Sequence, residues 1–271
     1  MQKLGQHFLN DTATRKKIAS VLFRMHAPVI IEIGPGHGEL TNELIKLFPD
    51  SRIIVIERDA ELAQKLRLSH PRLEIQEGDA REILPALPKI LGLKNGEYII
   101  TGNIPYYITG NLFRILGELK PRPLGVTFMI QKEVGERVSA EAPNMNLLAA
   151  CVQAYADVSY EFTVPKKVFC PPPKVDSAVV SILFHEKKLP THYFDVVHGA
   201  FKQPRKTILN NIHELMPVYS KEELEIILRD SGIREQDRPQ SLSVLQIISL
   251  AERFEKELTS LSTQTNAKSG V

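Results

Sequence analysis

Two cysteines in 271 residues are too few for a disulfide framework. Neither Cys151 nor Cys170 has a CxxC or histidine partner at zinc spacing, so both read as reduced structural thiols and no metal is expected. No apolar run is long enough to span a bilayer. The opening MQKLGQHFLN lacks the apolar core of a signal peptide, so no membrane association is expected and the expected location is the cytoplasm. No internal repeat is present. No charge of one sign dominates, since the formal net charge is +2. What is present is an ordinary globular composition, with 43% hydrophobic and 24% charged residues, in a chain long enough for one large domain and a small one.

The small net charge hides an uneven distribution. Residues 1–24 carry five Lys/Arg against Asp11, and residues 165–206 carry eight against Asp176, Glu186 and Asp195. Two positive patches on a mildly acidic body favour a polyanionic partner, although a solvated basic face has the same signature.

The β-branched run PVIIEI at 28–33 predicts a strand buried on both faces. Strands and helices then alternate over roughly the first 185 residues, which predicts α/β architecture with a doubly wound, largely parallel sheet. The last two strands, near 161–164 and 178–184, are expected as an antiparallel hairpin at its edge. Residues 147–158 fit either a strand or a buried helix. After residue 188 only helical patterns remain. The expected domains are therefore 1–188, a helical 189–258, and a disordered Ser/Thr/Asn-rich tail over 259–271.

The stretch that organises the chain is Gly102-Asn103-Ile104-Pro105-Tyr106-Tyr107, placed between a short strand and a helix. Ligands of open α/β sheets bind outside such strand ends. An Asn oxygen, a carbonyl held by proline and a flat aromatic face suit a planar base with an exocyclic NH2, removed from its stack. An ordinary Asn/Pro turn is the competing reading. Gly34-Pro35-Gly36-His37-Gly38 closes the first strand with GxGxG spacing, not the GxGxxG of dinucleotide sites. Glu57 ends the second strand, where a carboxylate can accept both ribose hydroxyls, and Asp79 ends the third, where it could accept from an adenine amino group. Three consecutive strand ends with matching polar groups imply S-adenosylmethionine. The basic turn Lys202-Gln203-Pro204-Arg205-Lys206 precedes a helix, and both features favour phosphate.

The segments EIGPGHGELT, VIERD, GDA and GNIPYY, in this order and spacing, resemble a class I (Rossmann-like) methyltransferase acting on the amino group of adenine. With LGQHFL at 4–9, QKEV at 131–134, VFCPPPKVDSAVV at 168–180 and RPQSLS at 238–243, the chain is more narrowly similar to the KsgA/RsmA family of small-subunit rRNA adenine dimethyltransferases, over nearly its whole length to about residue 258. The resemblance implies an S-adenosylmethionine-dependent enzyme that methylates two adjacent adenines near the 3′ end of small-subunit rRNA during late subunit assembly. The partner it implies is the small-subunit precursor, and the plain expectation is a monomer. It implies cofactor contacts at His7, Leu9, Gly34, Gly36, Glu57, Asp79 and Asn103. The target amine would be held by Asn103, Pro105 and Tyr106, with Phe169 stacked on the flipped base, and RNA would be contacted by Lys202, Arg205 and Lys206. The chain departs from the family pattern at Tyr107, at Gly135 and over 143–146. The rival readings are a resistance-type large-subunit rRNA methyltransferase, a non-catalytic RNA-binding assembly factor, and an NAD-dependent dehydrogenase.

Overall fold

The computed structural model describes residues 7–255. The expected tail at 259–271 and residues 256–258 of the expected last helix fall outside these residues. In chain order the elements are β1 Phe8–Leu9, α1 Thr12–Leu22, β2 Val29–Ile33, α2 Glu39–Leu47, β3 Arg52–Glu57, α3 Ala60–Ser69, β4 Glu74–Glu77, α4 Ala80–Ile83 and α5 Leu87–Ile90. They continue with β5 Tyr98–Asn103, α6 Thr109–Glu118, β6 Gly125–Gln131, α7 Lys132–Val138, α8 Leu147–Gln153, β7 Ala156–Val164, β8 Phe169–Cys170, β9 Ser177–Phe184, α9 Tyr193–Ala200, α10 Ile208–Leu215 and α11 Lys221–Asp230. A last helix, α12, runs over 244–255.

The chain forms two compact units. One takes the residues up to 139 together with 156–185, and the other takes 140–155 together with the residues from 186. The first unit is built on a seven-stranded sheet in the order β4-β3-β2-β5-β6-β9-β7. Its first five strands are parallel, while β9 runs antiparallel to both β6 and β7. The expected edge hairpin is therefore β7–β9, with β7 longer than the sequence pattern indicates. All five residues of β2 are buried, as a strand covered on both faces requires. Ile18 and Leu22 of α1 and Leu40 and Leu44 of α2 pack on Ile30, Ile53, Val55 and Ile99 of the sheet.

Winding reverses between β2 and β5, because β3 and β4 extend to one side of β2 and β5 and β6 to the other. This is the switch point at which open α/β sheets form a crevice. Register places Ile33 beside both Ile56 and Gly102, so the three strands end level. A Cβ on Gly102 would run into the Ile33 carbonyl oxygen. Glycine is what lets β5 lie against β2 at this point.

In the second unit, helices α8 to α12 enclose a core that includes Ala149, Tyr193, Val197, Ile212, Leu228, Leu250 and Phe254. Residues 140–155 belong to this unit, a correction to the contiguous 1–188 reading. The apolar run at 147–158 splits: Asn146 caps α8 by accepting from the Ala149 amide at 3.1 Å, and the strand begins only at Ala156. Tyr193 is fully buried and donates to the Ala150 carbonyl at 3.0 Å, which ties α8 to α9. The apolar pattern of α8 was visible; the core it enters was not.

Candidate active site

One crevice at the carboxyl ends of β2, β3, β4 and β5 is lined by His7, Leu9, Gly34, Gly36, Glu57, Asp79, Asn103, Pro105, Tyr106 and Phe169. The structure thus brings together every residue expected at the cofactor or the target base. Lys202, Arg205 and Lys206 belong to the helical unit and are not among the lining residues.

The glycine-rich turn leaves β2 with Gly34 at φ 66° and Gly36 at φ 62°, conformations that glycine adopts without strain. Glu57 closes β3 and is 6% exposed. One of its oxygens accepts from the Gly36 amide at 3.2 Å and the other from the Asp59 amide at 2.9 Å. Burial raises its pKa, and the two amides act in the opposite direction. A carboxylate gripped this way is fixed in place and still has lone pairs for hydroxyl groups. Glu32, 1% exposed, accepts from the Thr41 hydroxyl at 2.6 Å. Burial pushes its carboxyl up to about 8 despite that bond.

Asp79 caps α4 and is held by Arg81, whose guanidinium approaches its two oxygens at 3.0 and 2.7 Å. This side-chain bond lowers its pKa, so the group stands ionised as an acceptor but shares its oxygens with arginine. Arg58 donates to the Tyr107 hydroxyl at 3.2 Å, so the divergent Tyr107, 55% exposed, belongs to the same arginine-lined rim.

The Asn103 amide nitrogen donates to the His7 carbonyl at 3.0 Å, which leaves Oδ1 as the acceptor. The segment that carries His7 is itself anchored. Phe8 and Leu9 pair with Cys170 and Phe169 in a two-stranded ladder, and His7 Nδ1 donates to the Pro171 carbonyl at 2.7 Å. Tyr106 shares a 3.2 Å hydrogen bond with the Ser177 hydroxyl. Phe169 is only 5% exposed and packs in the core with Leu9. It also lines the crevice, on a strand residue fixed by its pairing with Leu9.

Sequence reasoning did not single out four contributors. Phe8 lies against the glycine turn: a Cβ on Gly36 would come within 3.1 Å of its ring, and the ring sits 4.4 Å from that of His37. Thr41 partners Glu32, and Ser177 partners Tyr106. Arg81 had a signal, standing two residues after an acidic strand end. In the helical unit, Lys202 and Lys206 both reach Glu214, at 2.7 and 3.6 Å, while Arg205 is exposed. The basic turn is held from beneath by Asn211, 1% exposed. Its amide accepts from Gln203 N at 3.1 Å and donates to the carbonyls of Gln203 and Thr207 at 3.0 and 3.2 Å. Among the described residues no helix is long and apolar enough to cross a membrane.

A family model described as ribosomal RNA adenine dimethylase matches residues 1–256. The chain is similar to the ribosomal RNA small subunit methyltransferase A of Mycoplasma capricolum subsp. capricolum, at 36% identity over 257 residues, 91% of this chain and 94% of the relative. It is similar to the protein of the same name in Bacteroides thetaiotaomicron at 35% identity over 272 residues, 97% of each. Among solved structures, a dimethyladenosine transferase from Plasmodium falciparum superposes with TM-score 0.74 at 24% identity, covering 92% of this chain and 98% of that one. The 23S rRNA methyltransferase ErmE superposes at 0.70 and 24% identity, covering 91% and 98%. At these identities the two structures speak to the fold alone.

Proposed function

The chain belongs to the ribosomal RNA adenine dimethylase family, and from that premise we propose that it transfers methyl groups from S-adenosylmethionine to the N6 amino groups of adenines in small-subunit rRNA. The curated relatives it matches along most of its length carry the small-subunit name, whereas the large-subunit reading rests on likeness of fold. The finer reading is that the substrate is two adjacent adenines near the 3′ end of the RNA in a late cytoplasmic small-subunit precursor, and that the chain acts as a monomer.

The observation that carries this reading is Asn103. Its nitrogen is committed to the His7 carbonyl, so Oδ1 is an acceptor at the end of β5 beside Pro105 and Tyr106. The crevice also fits the cofactor. The fixed carboxylate of Glu57 would take the ribose hydroxyls, the Gly34–Gly36 turn admits close approach of a ligand to the backbone, and ionised Asp79 would accept from the adenine amine. His7 and Leu9 would close over the site. When bound, S-adenosylmethionine supplies an electrophilic methyl on a sulfonium.

An adenine amine is a poor nucleophile, because its lone pair is delocalised into the ring. Acceptors on both its hydrogens, from Asn103 Oδ1 and the Pro105 carbonyl, favour a pyramidal nitrogen with its lone pair directed at the methyl. Alignment of this kind is worth ~7–11 kcal/mol. Stacking on Tyr106 and Phe169 would offset the cost of unstacking by ~1–3 kcal/mol per base. Lys202, Arg205 and Lys206 would contact phosphate, with Arg205 the readiest because Glu214 does not engage it.

The test is methyl transfer from labelled S-adenosylmethionine to small and large subunits that lack the modification, followed by nucleoside analysis. Dimethyladenosine confined to small-subunit RNA is expected. Label in large-subunit RNA instead would overturn the assignment.

A further inference from the structure

The two basic stretches of the sequence are far apart in the chain, yet the first unit brings the amino-terminal one against the start of the other. Asn10 N donates to the Val168 carbonyl at 2.9 Å, the Lys17 ammonium lies 3.9 Å from the centre of the Phe162 ring, and Arg24 pairs with Glu161 at 2.5 Å. Helix α1 therefore runs beside residues 161–168. Lys17 thus sits at Phe162, next to Lys16 in sequence, and Lys166, Lys167 and Lys174 follow in the adjoining stretch; all five are exposed. The strip continues directly into the crevice, because Val168 is followed by Phe169, which ladders with Leu9.

Of the carboxylates nearby, Glu133 lines the same hollow as Lys166, Glu136 pairs with Lys132 at 3.7 Å, and the other three are committed elsewhere. Asp11 accepts from the Thr14 amide and hydroxyl. Glu161 is taken by Arg24 and by the Ser181 hydroxyl, and Asp176 accepts from the Lys166 amide at 2.9 Å. Lys166 Nζ donates to the Lys174 carbonyl at 3.3 Å, which closes the loop. Among the described residues none of the five ammonium groups has an ion-pair partner, and what sets them apart from other unpaired lysines such as Lys65, Lys89, Lys94 and Lys120 is that the chain gathers them beside residues 161–174. Unneutralised charge gathered in one strip at the lip of a base-binding crevice is the footprint of a polyanion.

We infer that α1 and residues 166–174 form a composite phosphate-binding strip, which holds the RNA backbone leading to the crevice and is a contact separate from the basic turn of the helical unit. The inference rests on the proposed function for the identity of its ligand, and it names where on the first unit that ligand is gripped. Such a strip reads backbone, not sequence, so it acts on any single-stranded RNA.

The experiment compares the full chain with the variant Lys16→Gln/Lys17→Gln/Lys167→Gln/Lys174→Gln. A control variant, Lys65→Gln/Lys89→Gln/Lys94→Gln/Lys120→Gln, has the same net charge but is changed at other exposed positions. Binding of labelled polyuridylate is measured as a function of salt. Single-strand phosphate contacts contribute about −0.7 each to the slope of log K against log salt, so the strip variant should lose roughly three units of slope and bind at least about tenfold more weakly at low salt. The control should stay near wild type, and cofactor affinity should be unchanged in all three. Should the quadruple variant not fold, Lys167→Gln/Lys174→Gln, both at exposed positions, should show about half the slope change. Equal slopes for strip variant and wild type, or equal losses in strip and control variants, would overturn the inference. So would unchanged polyuridylate binding combined with strip-dependent binding to phosphatidylserine vesicles. Transfer to small subunits is scored separately: if wild type fails there, the proposed function falls while the polyuridylate result still decides the strip.

Discussion

Replacing Asn103 by alanine should separate catalysis from folding. The lost contact to the fold is one partly buried hydrogen bond, Nδ2 to the His7 carbonyl at 3.0 Å, worth ~0.5–1.5 kcal/mol. The segment it holds keeps the His7–Pro171 bond, the Phe8–Leu9 ladder and the Asn10–Val168 bond, so the variant should unfold only slightly earlier than wild type. The loss to the reaction is larger. An acceptor aimed at charge that develops in the transition state is worth ~2.7–4 kcal/mol, or ~10²–10³ in kcat. Asn103→Asp tests the assignment further. It keeps an oxygen for the amine but sets a carboxylate oxygen against the His7 carbonyl, so it should recover part of the rate while loosening residues 7–9. The assays are single-turnover methyl transfer to unmodified small subunits, cofactor titration and thermal unfolding on the same samples. Transfer by Asn103→Ala within about threefold of wild type, against the ~10²–10³ expected, would refute the reasoning. So would a loss of cofactor affinity large enough to account for the whole loss of rate.

Glu32→Gln should stabilise the ligand-free chain in a pH-dependent way. Burial raises the folded-state pKa of Glu32 from 4.5 to about 8, so folding favours its protonated form. Stability linked to this group is full below pH 4.5 and is lost as pH rises towards 8. The gap between Gln variant and wild type in denaturant unfolding should therefore grow over that window to as much as roughly 4 kcal/mol, and a constant gap would contradict the burial argument. Gly102→Ala should cost at least ~2–3 kcal/mol, since the new Cβ meets backbone and cannot be relieved by a rotamer change; an unchanged melting temperature would show that β2 and β5 can part. Asn211→Ala takes the partner from the Gln203 amide, while the Gln203 and Thr207 carbonyls keep the backbone amides of residues 206 and 211, so the loss should be ~1–3 kcal/mol for the one group left unpaired. It should also weaken RNA binding by the basic turn, and normal stability by chemical denaturation would count against the role given to Asn211.

The sequence was most legible where a local rule acts alone. VIIEI read as a doubly buried strand, and Asp59, Thr207 and Ser220 cap their helices as Asp, Ser and Thr commonly do. The strand ends bearing Gly34, Glu57, Asp79 and Asn103 were legible as one site because parallel strands deliver their carboxyl ends to the same edge. Less legible were residues whose role depends on a distant partner. Residues 147–153 are apolar enough for strand or helix, and only the core that Ala149 and Ala150 share with Tyr193 and Val197 decided. Phe169 read either as a stacking ring or as loop packing, and the structure shows it 5% exposed in a cluster with Leu9 while lining the crevice.

By itself, then, the sequence determined the alternation of elements, the level strand ends with their polar groups, and the family, because these follow from periodicity, capping and motif spacing along a continuous stretch of chain. Tertiary structure decided what depends on through-space neighbours. It fixed the orientation of the Asn103 amide through the His7 carbonyl, placed Arg81 on Asp79, raised the Glu32 carboxyl by burial, and joined the lysines of α1 to those of 166–174. Each of these is an interaction between groups whose separation in space the chain order does not encode, and hydrogen bonding, desolvation and charge all depend on that separation.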